Sequence, residues 1–268
     1  MKFSYKIAKI FTGEAVVSAR RCLRQWRHRR PPFQVEVDRL IKSVDGEGFR
    51  RIARRYGVPN PGSAPPKYLE LRHWMEINLR RVRELELDLS RPKRILDLGC
   101  GVGYFLHLCR QLGHDVLGLD LDEQRLFNEM VELLRIPRVV WRIEPFVPLP
   151  HFGGKFDLIT AHLICFNGHK TDRLWQKEEW KFFLDDVALH LQPDGRVALE
   201  LNHEADGRLY TDELKAFFEQ RGAHIHTQRV IFDPLSLSSA SPRTIESIFL
   251  SSQKRLSARL ARSAKTSR

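Results

Sequence analysis

The segment Ile95-Leu96-Asp97-Leu98-Gly99-Cys100-Gly101-Val102-Gly103-Tyr104 runs an apolar stretch into three glycines at alternate positions. Glycine opens backbone conformations closed to other residues and lets a ligand approach without meeting a Cβ. A helix that starts directly after such a loop points its unpaired N–H groups at the same place. The dinucleotide fingerprint G-x-G-x-x-G/A would require glycine or alanine where this chain has Tyr104. Asp97, two residues ahead of the first glycine, would repel a pyrophosphate and suits a ligand that carries positive charge. Both features disfavour a nicotinamide-dependent oxidoreductase. A second carboxylate, Asp120, lies 21 residues after Gly99 at the end of Leu117-Gly118-Leu119-Asp120. An acid there can accept hydrogen bonds from both hydroxyls of a ribose. Its other reading is a helix N-cap, a role for which Asp122 is a rival.

Further along, Ala161-His162-Leu163-Ile164-Cys165-Phe166-Asn167-Gly168-His169 follows another apolar run. His162 is a candidate general base near neutral pH, and Asn167 and His169 are candidates for orienting a substrate. Each has an ordinary alternative, bonding the loop or facing solvent. His203, in Leu201-Asn202-His203-Glu204, is a weaker candidate from the same rim. His162, His169, His203 and Glu204 lie on separate loops with no close ligand pair, so no metal site is expected. Trp175, Trp180, Phe182 and Phe183 could line a pocket, but core packing is the simpler role. Asp185 and Asp186 read as a solvated helix face.

The elements that position these residues alternate. Strands are expected over Ile95–Leu98, Val116–Leu119, Val139–Ile143, Phe156–Ala161 and Val197–Leu201, the last introduced by the turn Gln192-Pro193-Asp194-Gly195. Helices are expected over Tyr104–Leu112, Glu123–Leu134, Lys177–Leu191 and Thr211–Arg221. Two late strands, Ala223–Phe232 and Thr244–Leu250, lack a helix between them, which predicts an antiparallel end to the sheet. Short apolar strands alternating with helices imply a parallel sheet covered on both faces. Ahead of it, Leu71, Met75, Leu79, Val82 and Leu85 recur at three and four over Tyr68–Leu87, an amphipathic helix. Residues 33–56 read as helix broken by Gly46 and Gly48, and residues 57–66 as a Pro/Gly loop.

The glycine loop with its Asp97 resembles that of class I S-adenosylmethionine-dependent methyltransferases. Asp120, the run Phe156-Asp157-Leu158-Ile159 with Leu149-Pro150 ahead of it, and Leu191-Gln192-Pro193-Asp194-Gly195-Arg196 resemble later landmarks of that superfamily in order and spacing. The resemblance implies a Rossmann-like α/β fold: a mostly parallel seven-stranded sheet with an antiparallel last strand, helices on both faces and a helical N-terminal extension. It implies S-adenosylmethionine as cofactor. Gly99, Cys100, Gly101 and Gly103 would meet its methionine part, Asp97 would hold the loop and the ligand's ammonium, and Asp120 with Leu121 would take the ribose. Ile143 and Glu144 stand where the superfamily surrounds the adenine, although an obvious small-acidic pair is missing there. No N-P-P-[FY] sequence follows the fourth strand, which argues against methylation of base amines or glutamine. A small-molecule or glycan/lipid-linked acceptor, O-directed, is the favoured substrate. A non-catalytic adaptor that uses its basic ends to bind membrane or nucleic acid, and an RNA methyltransferase, are the alternatives.

The charge distribution bears on these alternatives. The chain carries a net charge of +12, of which residues 1–30 hold +8 and residues 251–268 hold +6, leaving −2 for 31–250. A near-neutral body lacks the phosphate attraction of a dedicated nucleic-acid enzyme. The division expected is a basic arm with helical extension over 1–66, a methyltransferase domain over 67–250 and a basic tail over 251–268. In the arm, Phe3, Ile7, Ile10 and Phe11 share a helical face beside Lys2, Lys6 and Lys9. Such a helix suits an anionic membrane surface or another polyanion, and equally docking on its own domain. Four isolated cysteines, Cys22, Cys100, Cys109 and Cys165, fit a reduced, cytoplasmic setting without structural zinc, with peripheral membrane association through the arm open. Deleting residues 1–30 is expected to leave cofactor affinity intact in isothermal titration; a large loss would make the arm a lid over the site.

Overall fold

The computed structural model describes residues 30–58, 66–164, 166, 174–204 and 206–232. Two helices, α1 (Phe33–Lys42) and α2 (Gly46–Tyr56), lead through a 3₁₀ turn (Pro66–Leu69) to α3 (Leu71–Glu84). The alternating body follows as β1 (Arg94–Leu98), α4 (Tyr104–Gln111), β2 (Asp115–Asp120), α5 (Arg125–Leu133) and β3 (Arg138–Val140). It continues with β4 (Phe156–His162), α6 (Lys177–Leu189), β5 (Leu191–Glu200), α7 (Asp212–Gln220), β6 (Ala223–His226) and β7 (Arg229–Phe232).

The strands form one seven-stranded sheet in the order β3-β2-β1-β4-β5-β7-β6. β3, β2, β1, β4 and β5 are parallel, and β7 runs antiparallel to both β5 and β6. β1 shows why the apolar runs are continuous: Ile95 packs into one core cluster and Leu96 and Leu98 into the other. The first cluster joins that face to α1, α3, α4 and α5, and the second to α6 and α7. Both faces of a parallel sheet are thereby covered. The order reverses beside β1, where β2 lies on one side and β4 on the other, and ligands of open α/β sheets bind at such a switch point.

Several expectations shift for physical reasons. The break in the first helical stretch falls at Ser43–Asp45 rather than at the glycines, because Asp45 caps α2 by accepting from the N–H groups of Glu47 and Gly48 at 3.0 and 3.2 Å. Gly48 instead lets α2 close on α5, since a Cβ there would sit 2.4 Å from Leu133 Cδ1. β3 stops at Val140, so Ile143 lies in a loop. The expected turn at Gln192–Gly195 is absorbed as a register shift inside β5, between the pairings Phe156↔Leu191 and Leu158↔Arg196. The single strand expected over Ala223–Phe232 is a hairpin, turned at Thr227 with φ of 52°, a conformation that no Gly or Asn advertises there. It supplies the antiparallel end. The strand expected over Thr244–Leu250 lies outside the described residues, as do the basic arm before Arg30 and the tail.

Asp185 and Asp186 do not form a solvated face; both are 4% exposed. Asp185 pairs with Arg221 and Lys181, each at 2.6 Å. Asp186 accepts from Leu149 N at 2.7 Å, fixing the loop that enters β4, with His190 Nε2 3.9 Å away. Burial raises the Asp186 carboxyl to about 6, the Leu149 N–H opposing, and lowers His190 to about 4. An acid whose folded pKa is raised gives stability that is fully present below its unfolded value and is lost as pH climbs through about 6. Asp186→Asn keeps the acceptor and removes the charge. It is expected to stabilise the fold by about 1–2 kcal/mol at pH 8, with the gain vanishing toward pH 4 in thermal unfolding.

Candidate functional site

The glycine loop is held to the neighbouring strand rather than to its own. Leu119 O at the end of β2 accepts from Gly99 N at 2.7 Å and from Cys100 N at 3.2 Å. The Asp120 carboxylate then accepts from Gly101 N at 2.6 Å through Oδ2 and from Leu121 N at 2.7 Å through Oδ1. Asp120 is not a helix cap, because α5 begins with Gln124 as its N-cap residue. Burial raises its carboxyl, while the Leu121 and Gly101 N–H groups and Arg138 act the other way.

All three loop glycines have positive φ: 68° at Gly99, 54° at Gly101 and 81° at Gly103. Their surroundings differ. A Cβ on Gly99 would lie 2.1 Å from Ile164 Cγ2, and one on Gly103 would touch Ile136 Cγ1 at 3.0 Å. A Cβ on Gly101 would meet nothing within 4 Å. The first two glycines allow close packing of the protein on itself. Gly101 faces open space.

That space is a cavity of about 570 Å³ beyond the carboxyl ends of β1, β2 and β4. Of the residues singled out in the sequence, Asp97, Gly99, Cys100, Gly101, Asp120, Leu121, Ile143 and His162 line it. Gly103 does not; it starts α4 as the left-handed N-cap residue. Glu144 does not line it either. Asn167 and His169 lie outside the described residues. Sequence reasoning missed Asn78 and Arg81 of α3, Trp141 and Arg142 after β3, and Asn202 after β5, all of which line the cavity. It also missed an aromatic wall of Tyr68, Trp74 and Phe127, where Tyr68 stacks on Trp74 at 5.2 Å and meets Phe127 edge-on at 5.1 Å. The helical period of α3 carried no sign that its buried polar positions turn toward a ligand site.

The polar floor follows from strand register. Asp97 pairs with Thr160, and His162 pairs with Glu200. Thr160 and His162 are two apart and so share a face. Thr160 Oγ1 donates to Asp97 Oδ1 at 2.7 Å. Among the described residues no donor reaches Asp97 Oδ2. Asp97 is 3% exposed; burial raises its carboxyl, and His162, Thr160 and Arg81 draw it down. His162 Nδ1 lies 3.3 Å from Glu200 Oε2. The same oxygen accepts from Arg81 Nε at 2.8 Å and is ion-paired with Arg81 Nη2 at 2.6 Å, and Gln228 Nε2 donates to Oε1 at 2.8 Å. Burial alone would raise the Glu200 carboxyl, but His162 and Arg81 overcome it and hold it at about 2. Asn78 Oδ1 accepts from Arg81 Nη1 at 3.1 Å, which completes the anchoring.

A smaller cavity adjoins the large one through Ile164, Phe166 and Asn202 and is walled by Trp175, Trp180 and Tyr210. Trp175, Trp180 and Phe183 are also buried in the α6 core, so packing is their first role. His203 borders this smaller cavity. Among the described residues no three His, Cys, Asp or Glu side chains converge on a metal position.

A family model described as a methyltransferase domain matches residues 71–230. The chain belongs to the methyltransferase-domain family. A curated relative, the cypemycin N-terminal methyltransferase of a Streptomyces species, is 30% identical over 115 residues, covering 42% of this chain and 44% of that protein. The chain thus matches under half the length of that relative. Among solved structures, CalS10, an amino pentose methyltransferase from Micromonospora echinaspora, is 21% identical over 47% of this chain and 50% of its own, with a TM-score of 0.37. A TehB-like S-adenosylmethionine-dependent methyltransferase from Corynebacterium glutamicum is 20% identical over 60% of this chain and 97% of its own, with a TM-score of 0.39.

The cofactor of this methyltransferase class is S-adenosylmethionine, and the residues present fit it. Asp97 offers an unclaimed carboxylate oxygen toward an ammonium group. Asp120 retains lone pairs beyond its two backbone bonds for ribose hydroxyls. Trp141 Nε1, on the wall near the β3 end, is buried and lacks a hydrogen-bond partner, and His162 Nε2 is in the same condition at the other end. Buried polar atoms without partners are rare in folded proteins and fit a cavity completed by a polar ligand.

Gly101→Ala and Gly113→Ala separate fold from ligand. Both positions have positive φ and room for a Cβ, and Gly113 is not part of the cavity. Each variant is expected to lose about 1–2 kcal/mol of stability from left-handed strain. Only Gly101→Ala should also lose S-adenosylmethionine affinity in titration calorimetry, because its methyl group would occupy the ligand's space.

Proposed function

We propose that this protein transfers the methyl group of S-adenosylmethionine to a hydroxyl of a small-molecule or glycan/lipid-linked acceptor. One observation carries the reading: Asp97, Gly101 and Asp120 converge on a single cavity at the switch point of the sheet. When bound, the cofactor supplies a sulfonium-activated methyl group, so the protein's tasks are to align the acceptor and exclude water. Asp120, held in place by the Gly101 N–H, takes the nucleoside end, and Asp97 the amino-acid end. The carboxyl ends of β4 and β5, with Ile164, Phe166 and Asn202, form the side from which an acceptor reaches the methyl group. The adjoining aromatic pocket gives an acceptor's ring or apolar part a surface to stack on.

An amine acceptor is the second reading, favoured by the relative named for methylating the N-terminus of cypemycin. Transfer of a tritiated methyl group to paired sugar alcohols and amino sugars discriminates the two by which member of each pair is labelled.

The cofactor assignment has its own test. Titration calorimetry should show S-adenosylmethionine binding at sub-millimolar concentration. Asp120→Ala should weaken it by about 1–3 kcal/mol, the scale of lost hydrogen bonds to a charged group. Unchanged affinity would refute the ribose assignment.

A further inference from the structure

We propose that His162 takes the acceptor's proton during methyl transfer, with Glu200 and Arg81 as the positioning residues that keep Nε2 free to do so. The inference rests on the methyl-transfer reading and narrows it to acceptors whose attacking atom must shed a proton, hydroxyls first among them. Carboxylates and thioethers, which need no base, fall outside it.

The register of the sheet sets the geometry. Leu98 pairs with Ala161, so His162 stands one residue beyond, level with Gly99 where the glycine loop begins. His162 lines both this cavity and a smaller cleft shared with Arg81 and Glu200, and Phe105 packs edge-on against its ring at 4.6 Å. The side chain is 10% exposed. Glu200, its cross-strand partner, carries two Arg81 nitrogens on Oε2 and is therefore held ionised. A carboxylate only accepts hydrogen bonds, so the His162 nitrogen facing it, Nδ1, is the one that carries the hydrogen. That leaves a lone pair on Nε2, which is buried and has no partner among the described residues.

A histidine serving the fold alone can satisfy both nitrogens. His114 does: its Nδ1 accepts from Lys93 N at 3.0 Å, and its Nε2 lies 3.1 Å from Leu87 O. His107 also has an orphaned nitrogen, Nδ1, but its Nε2 meets Ser43 Oγ at 2.9 Å between α4 and α1, and it borders no described cavity. Among the described histidines only His162 combines an orphaned nitrogen with the wall of the cofactor cavity.

As the acceptor oxygen forms its bond to the methyl carbon, the sulfur–methyl bond breaks and its electron pair stays on sulfur. The O–H bond breaks, its electron pair stays on oxygen, and the proton passes to His162 Nε2. The resulting imidazolium faces the Glu200 carboxylate, 3.3 Å from Nδ1, which stabilises the new charge. The proton then leaves to water when the product departs.

The test uses the full chain with ¹⁵N-labelled histidine, the His162 signals being assigned by their loss in His162→Gln. Spectra are recorded at pH 8 with and without S-adenosylhomocysteine. The expected result is a neutral ring carrying hydrogen on Nδ1 in both states, and a mixed tautomer in Glu200→Gln. An Nε2–H tautomer or a charged ring at pH 8 in the unaltered protein overturns the proposal. A second arm follows tritiated methyl transfer from S-adenosylmethionine to catechol and to thiophenol, which is already a thiolate. His162→Gln should reduce kcat with catechol by about 10²–10⁴-fold, with the KM for S-adenosylmethionine unchanged. Its loss with thiophenol should be under tenfold, and equal losses would count against the base role. If neither probe is methylated, the tautomer decides. If the unaltered protein fails to bind S-adenosylmethionine at all, the methyl-transfer reading falls, and the base role with it.

Discussion

The cavity exists because one half-buried carboxylate, Asp120, closes a loop onto a strand it does not belong to. A loop of three glycines has little intrinsic reason to hold one shape, since glycine loses more backbone entropy on ordering than any other residue. Asp120 supplies that reason by accepting from Gly101 N and Leu121 N, while Leu119 O takes the Gly99 and Cys100 N–H groups. Three oxygens at the β2 terminus, Leu119 O and the two of Asp120, thus fix the backbone that borders the cavity. Removing the carboxylate would do two things at once: take away the hydrogen-bond acceptor proposed for the sugar and free the loop. The two effects act on the same affinity and are not separable by one substitution.

A second constraint is charge. Asp97 and Asp120 line the cavity and Glu200 lies behind it, paired with His162, and carboxylates withdrawn from water without compensation are costly. Arg81 and the Thr160 hydroxyl stabilise two of them, and backbone N–H groups the third. Asp97 is the least supported, with one hydroxyl partner and an upward-shifted carboxyl. A cationic ligand stabilises what the fold leaves short.

What could be read in the sequence follows from how local each signal is. The glycine loop, Asp120 and the strand–helix alternation are written in contiguous residues, and the fold they imply is the fold observed. The features that escaped are products of pairing. Glu200 gives no sign in its own neighbourhood; it matters because the β4–β5 register sets it against His162. Asp185 and Asp186 looked solvated because helical periodicity does not reveal that Arg221 and the Leu149 N–H approach from elsewhere in the chain. Gly103 fitted the loop pattern yet serves the contact of α4 with Ile136. The Ala223–Phe232 run hid a turn because Thr227 adopts a left-handed conformation without a glycine to mark it.

The least legible element is α3, and it joins the fold to the site. Its apolar stripe, Met75, Leu79 and Val82, packs in the core with α1 and α4, which is all its periodicity announces. Asn78 and Arg81 lie off that stripe at helical spacing, and both reach the cavity. A long cation on a helix ahead of the sheet can reach the carboxyl end of β5 only if the helix is fixed in rotation, and the buried stripe fixes it. Arg81 then neutralises Glu200, which in turn orients His162. The helix that reads as an introduction to the domain is thus one wall of its reactive cavity, and its core packing sets the direction in which a histidine two strands away presents its lone pair.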